Sequence, residues 1–251
     1  MPVHGFIFYE DVDNDTLDNL TPVASDESIF VSGDVARVRE DFNKIIGYKA
    51  LGANITRARI RAPSMNDKGG IEILPIDDAA ENTSNFPPNW QIENPIQLTP
   101  TEKLEVETVN SGAAAIEQSV AIWVCDEVPT PIVGEEIFAV DFSVTGTCTA
   151  RVWNNFAITL GQSLEAGEYA VVGMRAFSSS GLWARLKFGE GDARMMIPMS
   201  DDEAHIHDQK FINGTFGEWG RFKEDAPPRI DVFPDLTDSD ISGVLYIIKV
   251  A

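Results

Sequence analysis

The chain is poor in cysteine, histidine and basic charge, and each scarcity removes a class of protein. Only two cysteines occur, Cys125 and Cys148, in the apolar runs AIWVCDE and VTGTCTARVW. No disulfide framework can therefore hold the fold, and both are expected to be buried free thiols. Lys and Arg number 19 against 40 Asp and Glu, a formal net charge of −21. A surface of that sign repels a phosphate backbone, so direct nucleic-acid binding is not expected. The acidity is spread along the chain, with 21 acidic and 9 basic residues up to position 126 and 19 and 10 after it. No run of about 18 apolar residues occurs. The opening MPVHGFIFYEDVDND lacks the basic-then-apolar order of a signal peptide, which predicts synthesis in the cytoplasm without export. In that setting the sequons at Asn54, Asn82 and Asn213 are accidental.

What the chain has in quantity is period-2 patterning. ITRARIR, GIEILPI, KLEVETV, SVAIWVC, IFAVDFSV, EYAVVGM, LWARLKF, RMMIPM and VLYIIKV alternate as short strands do. NDKGG, NFPPNW, GEGDA, NGTFG and DAPPR punctuate them as turns. The one clear helical pattern is Asp34 to Lys44, where Asp34 is placed to cap and Val35, Val38 and Phe42 share a face. The acidic stretch Asp77 to Asn94 is expected to cross the outer surface as a loop.

A repeat underlies the pattern. Shifted by 126 residues, IIGYKAL (Ile45 to Leu51) falls on VVGMRAF (Val171 to Phe177), matching Gly47 with Gly173 and Lys49 with Arg175. TRARIR (Thr56 to Arg61) then falls on LWARLK (Leu182 to Lys187) without a gap. The same shift puts KLEV (Lys103 to Val106) on RIDV (Arg229 to Val232), and Ile122 on Ile248. Matching glycines and basic residues separate this from the chance alignment of one alternating strand with another. The fold class read from these features is all-β: two tandem jelly-roll-like β-sandwich domains related by internal duplication, with few short helices. Their expected bounds are 1–128 and 129–251, the joint lying in EVPTPIVG (Glu127 to Gly134).

Candidate chemistry is thin. His205 and His207 form an H-x-H, which puts both rings on one face of a strand, but the chain that follows supplies no nearby Glu of the metal-binding cupin pattern. No metal is assigned to them. Ser178 to Ser180 in FSSSGLW lack the G-x-S-x-G elbow of a hydrolase and read as a turn, and GEGDAR (Gly189 to Arg194) lacks the spacing of a phosphate loop. No catalytic or cofactor-binding residue is assigned, and no enzyme activity is expected. DVDND (Asp11 to Asp15) and SDDE (Ser200 to Glu203) resemble pieces of a calcium loop without its glycine or distal Glu, so a structural divalent cation is the one cofactor left open. The residues singled out are basic. Arg57, Arg59 and Arg61 alternate along one strand face, and Arg185 and Lys187 repeat the feature in the second copy. On so acidic a chain the stripe is expected to pair with carboxylates of the next strand or of a neighbouring subunit.

Two tandem β-sandwich units, marked by Ile45 to Arg61 with Val171 to Lys187 and by the closing strands SVAIWVC and VLYIIKV, resemble the double jelly-roll major capsid proteins of icosahedral viruses and phages. LEAGEYAVVGMRAFSSSGLWARLKF, FGEWGRF and APPRIDVF have the general look of such coat proteins. The resemblance implies two jelly rolls standing side by side, three chains in a pseudo-hexagonal capsomer, and a place in the virion. The partners it implies are further copies of the chain and other virion proteins, with no direct nucleic acid and with membrane contact left open. Two other readings stand behind it. One is a two-domain lectin using Trp90, Trp183 or Trp219 as sugar platforms, and the other is a bicupin-like or sandwich-fold enzyme.

Overall fold

The computed structural model describes residues 3–13, 17–23, 29–68, 70–74, 76–77, 88–112, 114–189, 193–200 and 214–250. Its chain divides into two compact units, Val3–Val128 and 129–251. Both are built from antiparallel β-sheet, apart from one two-residue parallel pairing in the first, and the described residues contain no α-helix.

The first unit opens with β1 (His4–Val12), β2 (Leu17–Asn19), β3 (Thr21–Pro22), β4 (Ile29–Ser32) and β5 (Val35–Val38). It continues with β6 (Lys44–Leu51), β7 (Ile55–Arg61), a 3-10 turn at Pro63–Lys68, β8 (Ile71–Glu72) and β9 (Ile76–Asp77). β10 (Asn89–Trp90), β11 (Ile96–Gln97), β12 (Lys103–Asn110) and β13 (Ile116–Cys125) complete it. One sheet runs β10-β6-β13-β1-β3, with β11 and β9 also on β6. The other runs β4-β5-β12-β7-β8, with β2 on β12.

The second unit holds β14 (Phe138–Val144), β15 (Asn154–Leu160), β16 (Glu168–Phe177), β17 (Gly181–Lys187), β18 (Ala193–Pro198), β19 (Gly220–Lys223), β20 (Arg229–Pro234) and β21 (Ser242–Lys249). These eight form one continuous curled sheet, β18-β17-β20-β15-β14-β21-β16-β19. Counted from the start of the unit, the order is 5-4-7-2 followed by 1-8-3-6, the two four-stranded halves of a jelly roll. The first unit has the same order. β1, β13, β6 and β10/β11 make its 1-8-3-6 half, while β2, β12, β7 and β8 make 2-7-4-5. The chain is therefore a tandem of two jelly-roll domains related by duplication.

Strand registers sharpen the correspondence. Along β6 and β16 the ladder to the last strand skips one residue, Ile46 in the first domain and Val172 in the second, which are 126 residues apart. Gly47 and Gly173 follow those bulges. A side chain at Gly47 would collide with the Trp90 ring, whose nearest atom lies 2.4 Å from where a Cβ would stand. The offset of 126 holds through β6/β16 and β7/β17 and then shortens. Arg59 lies opposite Glu107, whereas Arg185 lies opposite Asp231, so the seventh strands align at 124, with Glu105 rather than Lys103 on Arg229. The last strands align at 123, with Trp123 on Tyr246 and Val124 on Ile247, so Ile122 falls on Leu245 and not on Ile248.

The helix expected over Asp34 to Lys44 is not there. Its first half is β5, joined to β4 by a tight turn in which Gly33 takes a φ of 61°, and Phe42 follows in a separate turn. Gly33-Asp34 is a two-residue hairpin signal, and it outcompetes the reading of Asp34 as a cap. Ala36 and Val38 are buried while Arg37 is exposed, a period of two. The hairpin has no counterpart in the second domain, where β15 leads to β16 through seven residues.

Alternation explains the burial. In β14, Val140, Phe142 and Val144 point inward while Asp141 and Ser143 face solvent. The first core joins Phe6, Phe8, Ile45, Ile60, Val106, Ile122 and Val124 from both halves of the sandwich, together with Val38 and Phe42 from the extra segment.

Candidate functional site: ion clusters and the open mouth of the second domain

The arginine stripe lies where alternation put it, on the face of β7 opposite Ala58 and Ile60. Arg57 donates from Nε and a terminal nitrogen to Glu72 Oε1, at 2.9 and 2.5 Å. Both side chains are about half exposed, so solvent screens the pair and its contribution to stability is small. Arg59 and Arg61 both donate to the Glu107 carboxylate, one to each oxygen. Glu107 is buried, Arg59 largely so, and Arg61 reaches water. Burial alone would raise the Glu107 pKa, but the hydrogen bonds and charges of Arg59 and Arg61 outweigh it and hold the carboxyl below its ordinary range.

The second domain repeats the pair in a drier form. Arg185 Nε donates to Asp231 Oδ2 at 3.2 Å, and both side chains are buried. The guanidinium carbon lies 4.0 Å from the centre of the Trp153 ring, which itself packs on Phe233 at 5.6 Å. Asn155 donates to the other Asp231 oxygen at 2.5 Å and accepts from Arg229. Asn19 holds, opposite Glu107, the register position that Asn155 holds opposite Asp231, so the Arg–carboxylate pair recurs at matching positions in both domains. Lys187, the other stripe residue, ends β17 opposite Arg229.

Glu107, Asp231, Asn155 and Trp153 were not visible as a set in the sequence. The signal was present as alternation in KLEVETV and RIDV, but a fixed offset of 126 misaligned the carboxylates by two residues.

Ser178 to Ser180 form the turn expected of them. Its clamp is Asp238, buried, which accepts from Ser178 Oγ, Ser179 Oγ and the backbone N–H groups of Ser180, Ser239 and Asp240. Burial would raise the Asp238 pKa, but these donors outweigh it and lower it. The arrangement ties two loops together. Both cysteines are buried, and burial pushes each thiol up to about 11.

Of the tryptophans considered as sugar platforms, Trp183 and Trp219 are buried, and Trp90 is half-buried and packs edge-on against Trp123 at 4.9 Å. Buried, Trp183 and Trp219 offer no open ring face of the kind a lectin uses. His205, His207 and most of Ser200 to Glu203 lie outside the described residues, as do Asn14 and Asp15 of the other acidic cluster. Among the described residues no three His, Cys, Asp or Glu side chains converge as metal ligands.

A concavity remains at the end of the second domain where β14 begins and β21 ends. It encloses about 280 Å³ between Phe138, Val140, Leu164, Tyr169 and Ile247, with Glu165 and Lys249 paired at 3.0 Å on its rim. Phe138 lies opposite Ile247 as His4 lies opposite Val124, so His4 is its counterpart. There the two domains differ. His4 is only 1% exposed, its ring 4.4 Å from that of Phe42, whereas Phe138 is 42% exposed. The β4–β5 segment and Phe42 close this end of the first domain, and among the described residues the short β15–β16 connection leaves the equivalent end of the second domain open.

No protein-family model matches the sequence, and a search of the curated proteins finds no match.

Proposed function

We propose that the chain is a structural subunit, the major capsid protein of an icosahedral virus or phage, which works as a homotrimer tiling a closed shell and is not an enzyme. The observation that supports this is the tandem of two jelly rolls with one strand order. Three such chains place six near-equivalent domains about a three-fold axis, giving a trimer an almost hexagonal outline that packs edge to edge. Cyclic symmetry closes the assembly and prevents open fibres. The duplication conserves the strands and varies the connections, as expected if each domain meets different neighbours. On this reading the chain resides in the virion, its partners are its own copies and other virion proteins, and its acidic surface slows premature association.

Interfaces of permanent assemblies typically bury about 2,000 Å² or more, so the trimer should survive dilution. Native mass spectrometry of the purified chain is expected to show three-chain species, and electron micrographs to show shells or hexagonal arrays. A stable monomer with no shell, filament or array would sink the proposal.

A further inference from the structure

From the open mouth of the second domain we infer the contact that joins the copies: the β4–β5 hairpin of one chain docks, Phe30 first, into the Phe138–Leu164–Tyr169 cleft of the next. The inference rests on the self-assembly reading above and adds the surface through which it acts.

Three observations lead to it. First, the two domains are the same fold, yet among the described residues only the first carries a hairpin at this end. There the hairpin strand residues Ile29, Ala36 and Val38, with Phe42 behind them, join the core and cover the strand ends. The second domain keeps the apolar lining, with Phe138, Val140 and Ile247 continuing the inner face of its sheet into the cleft, and none of its described residues covers that lining. An apolar concavity at the end of a sandwich is stabilised by an apolar insert. Second, the hairpin has an unused apolar side. Phe30 is 62% exposed, on β4, the outermost strand of its sheet. A projecting phenyl ring on an edge strand invites association unless a partner covers it. Third, the charges complement one another. The hairpin carries one arginine and one aspartate, and the exposed Arg37 lies directly opposite Phe30. On the rim of the cleft the Glu165 side chain, paired with Lys249, is 87% exposed. Most surfaces of this chain repel one another, so an exposed Arg37 beside the docking ring meeting an exposed Glu165 on the rim selects one docking arrangement over others.

The contact uses two different patches, one on each domain. It is therefore head-to-tail, the class of interface that generates a closed ring when the rotation per step divides a full turn. A trimer built this way contains three identical hairpin-to-cleft contacts.

The test uses the full chain, with Phe30→Asp to spoil the hairpin and Leu164→Asp to spoil the cleft. Phe30→Ser serves as a milder second variant, and circular dichroism checks that each one folds. Sedimentation and native mass spectrometry should show that each variant associates at least tenfold more weakly than the unaltered chain. Mixing Phe30→Asp with Leu164→Asp should then yield 1:1 dimers, because the mixture holds one intact hairpin and one intact cleft. Association of both Phe30 variants at wild-type strength overturns the hairpin contact and leaves the assembly reading intact. A mixture that stays monomeric when each variant is monomeric also overturns it. An unaltered chain that does not associate at all removes both proposals.

Discussion

In the first domain Glu107 is shared by two arginines, one of which still reaches water, whereas in the second Asp231 faces an Arg185 sealed beneath Trp153. The strands and faces are equivalent, and the difference is solvent. A wet cluster tolerates damage because a released guanidinium can turn outward and be hydrated. A dry pair cannot, since removing either partner strands a charge in the interior. The same duplication has thus produced one adaptable ion cluster and one that depends on both members.

The largest effect should come from breaking the dry pair. Asp231→Ala removes the carboxylate that faces buried Arg185, and is expected to cost about 3–5 kcal/mol of second-domain stability by urea or thermal unfolding. A loss below that of the matching change in the first domain would reverse the comparison. Glu107→Ala should cost less, about 1–2 kcal/mol, because Arg61 is already partly hydrated and Arg59 can follow it. Acid sharpens the contrast. The Glu107 pKa is lowered from an ordinary value of 4.5, so its stabilisation is present above that pH and is lost as pH falls through the lower folded value. Unfolding midpoints measured from pH 6 down to pH 3 should fall more steeply for the unaltered chain than for Glu107→Gln, which has nothing to titrate at that position. The smallest effect concerns the thiols, which resemble each other across the two domains. Cys125 and Cys148 are buried and raised to about 11, so a thiol reagent at pH 8 should label neither in the folded chain and both after denaturation. Rapid labelling of one would show that its domain opens more readily than the other.

The β-strands were legible because alternation is a local property: a strand half-buried on a sandwich must write its inner face every second residue, as β14 does. The duplication was legible in β6 and β7 because a bulge followed by glycine constrains residue type in both copies. It blurred beyond β7, where small differences in connection length accumulate and a fixed offset cannot follow them. Asp34 to Lys44 was misread because Val35, Val38 and Phe42 satisfy a helical spacing, while the Gly33-Asp34 turn before them commits the backbone to a hairpin.

By itself the sequence determined the fold class, the duplication and the acidic, disulfide-free surface, since each is set by residue type and spacing along the chain. Tertiary structure alone decided that Glu107 and Asp231 are the partners of the arginine stripe, that Trp153 seals one of the two clusters, and that, among the described residues, one jelly roll is closed where the other is open. Those are facts about which strands lie side by side and which segment covers an end. They arise from pairings between residues some 40 to 80 positions apart, such as Arg59 with Glu107 and Asn155 with Asp231. Charge and periodicity read along the chain say that such partners are needed, but only the register of the folded sheets chooses them.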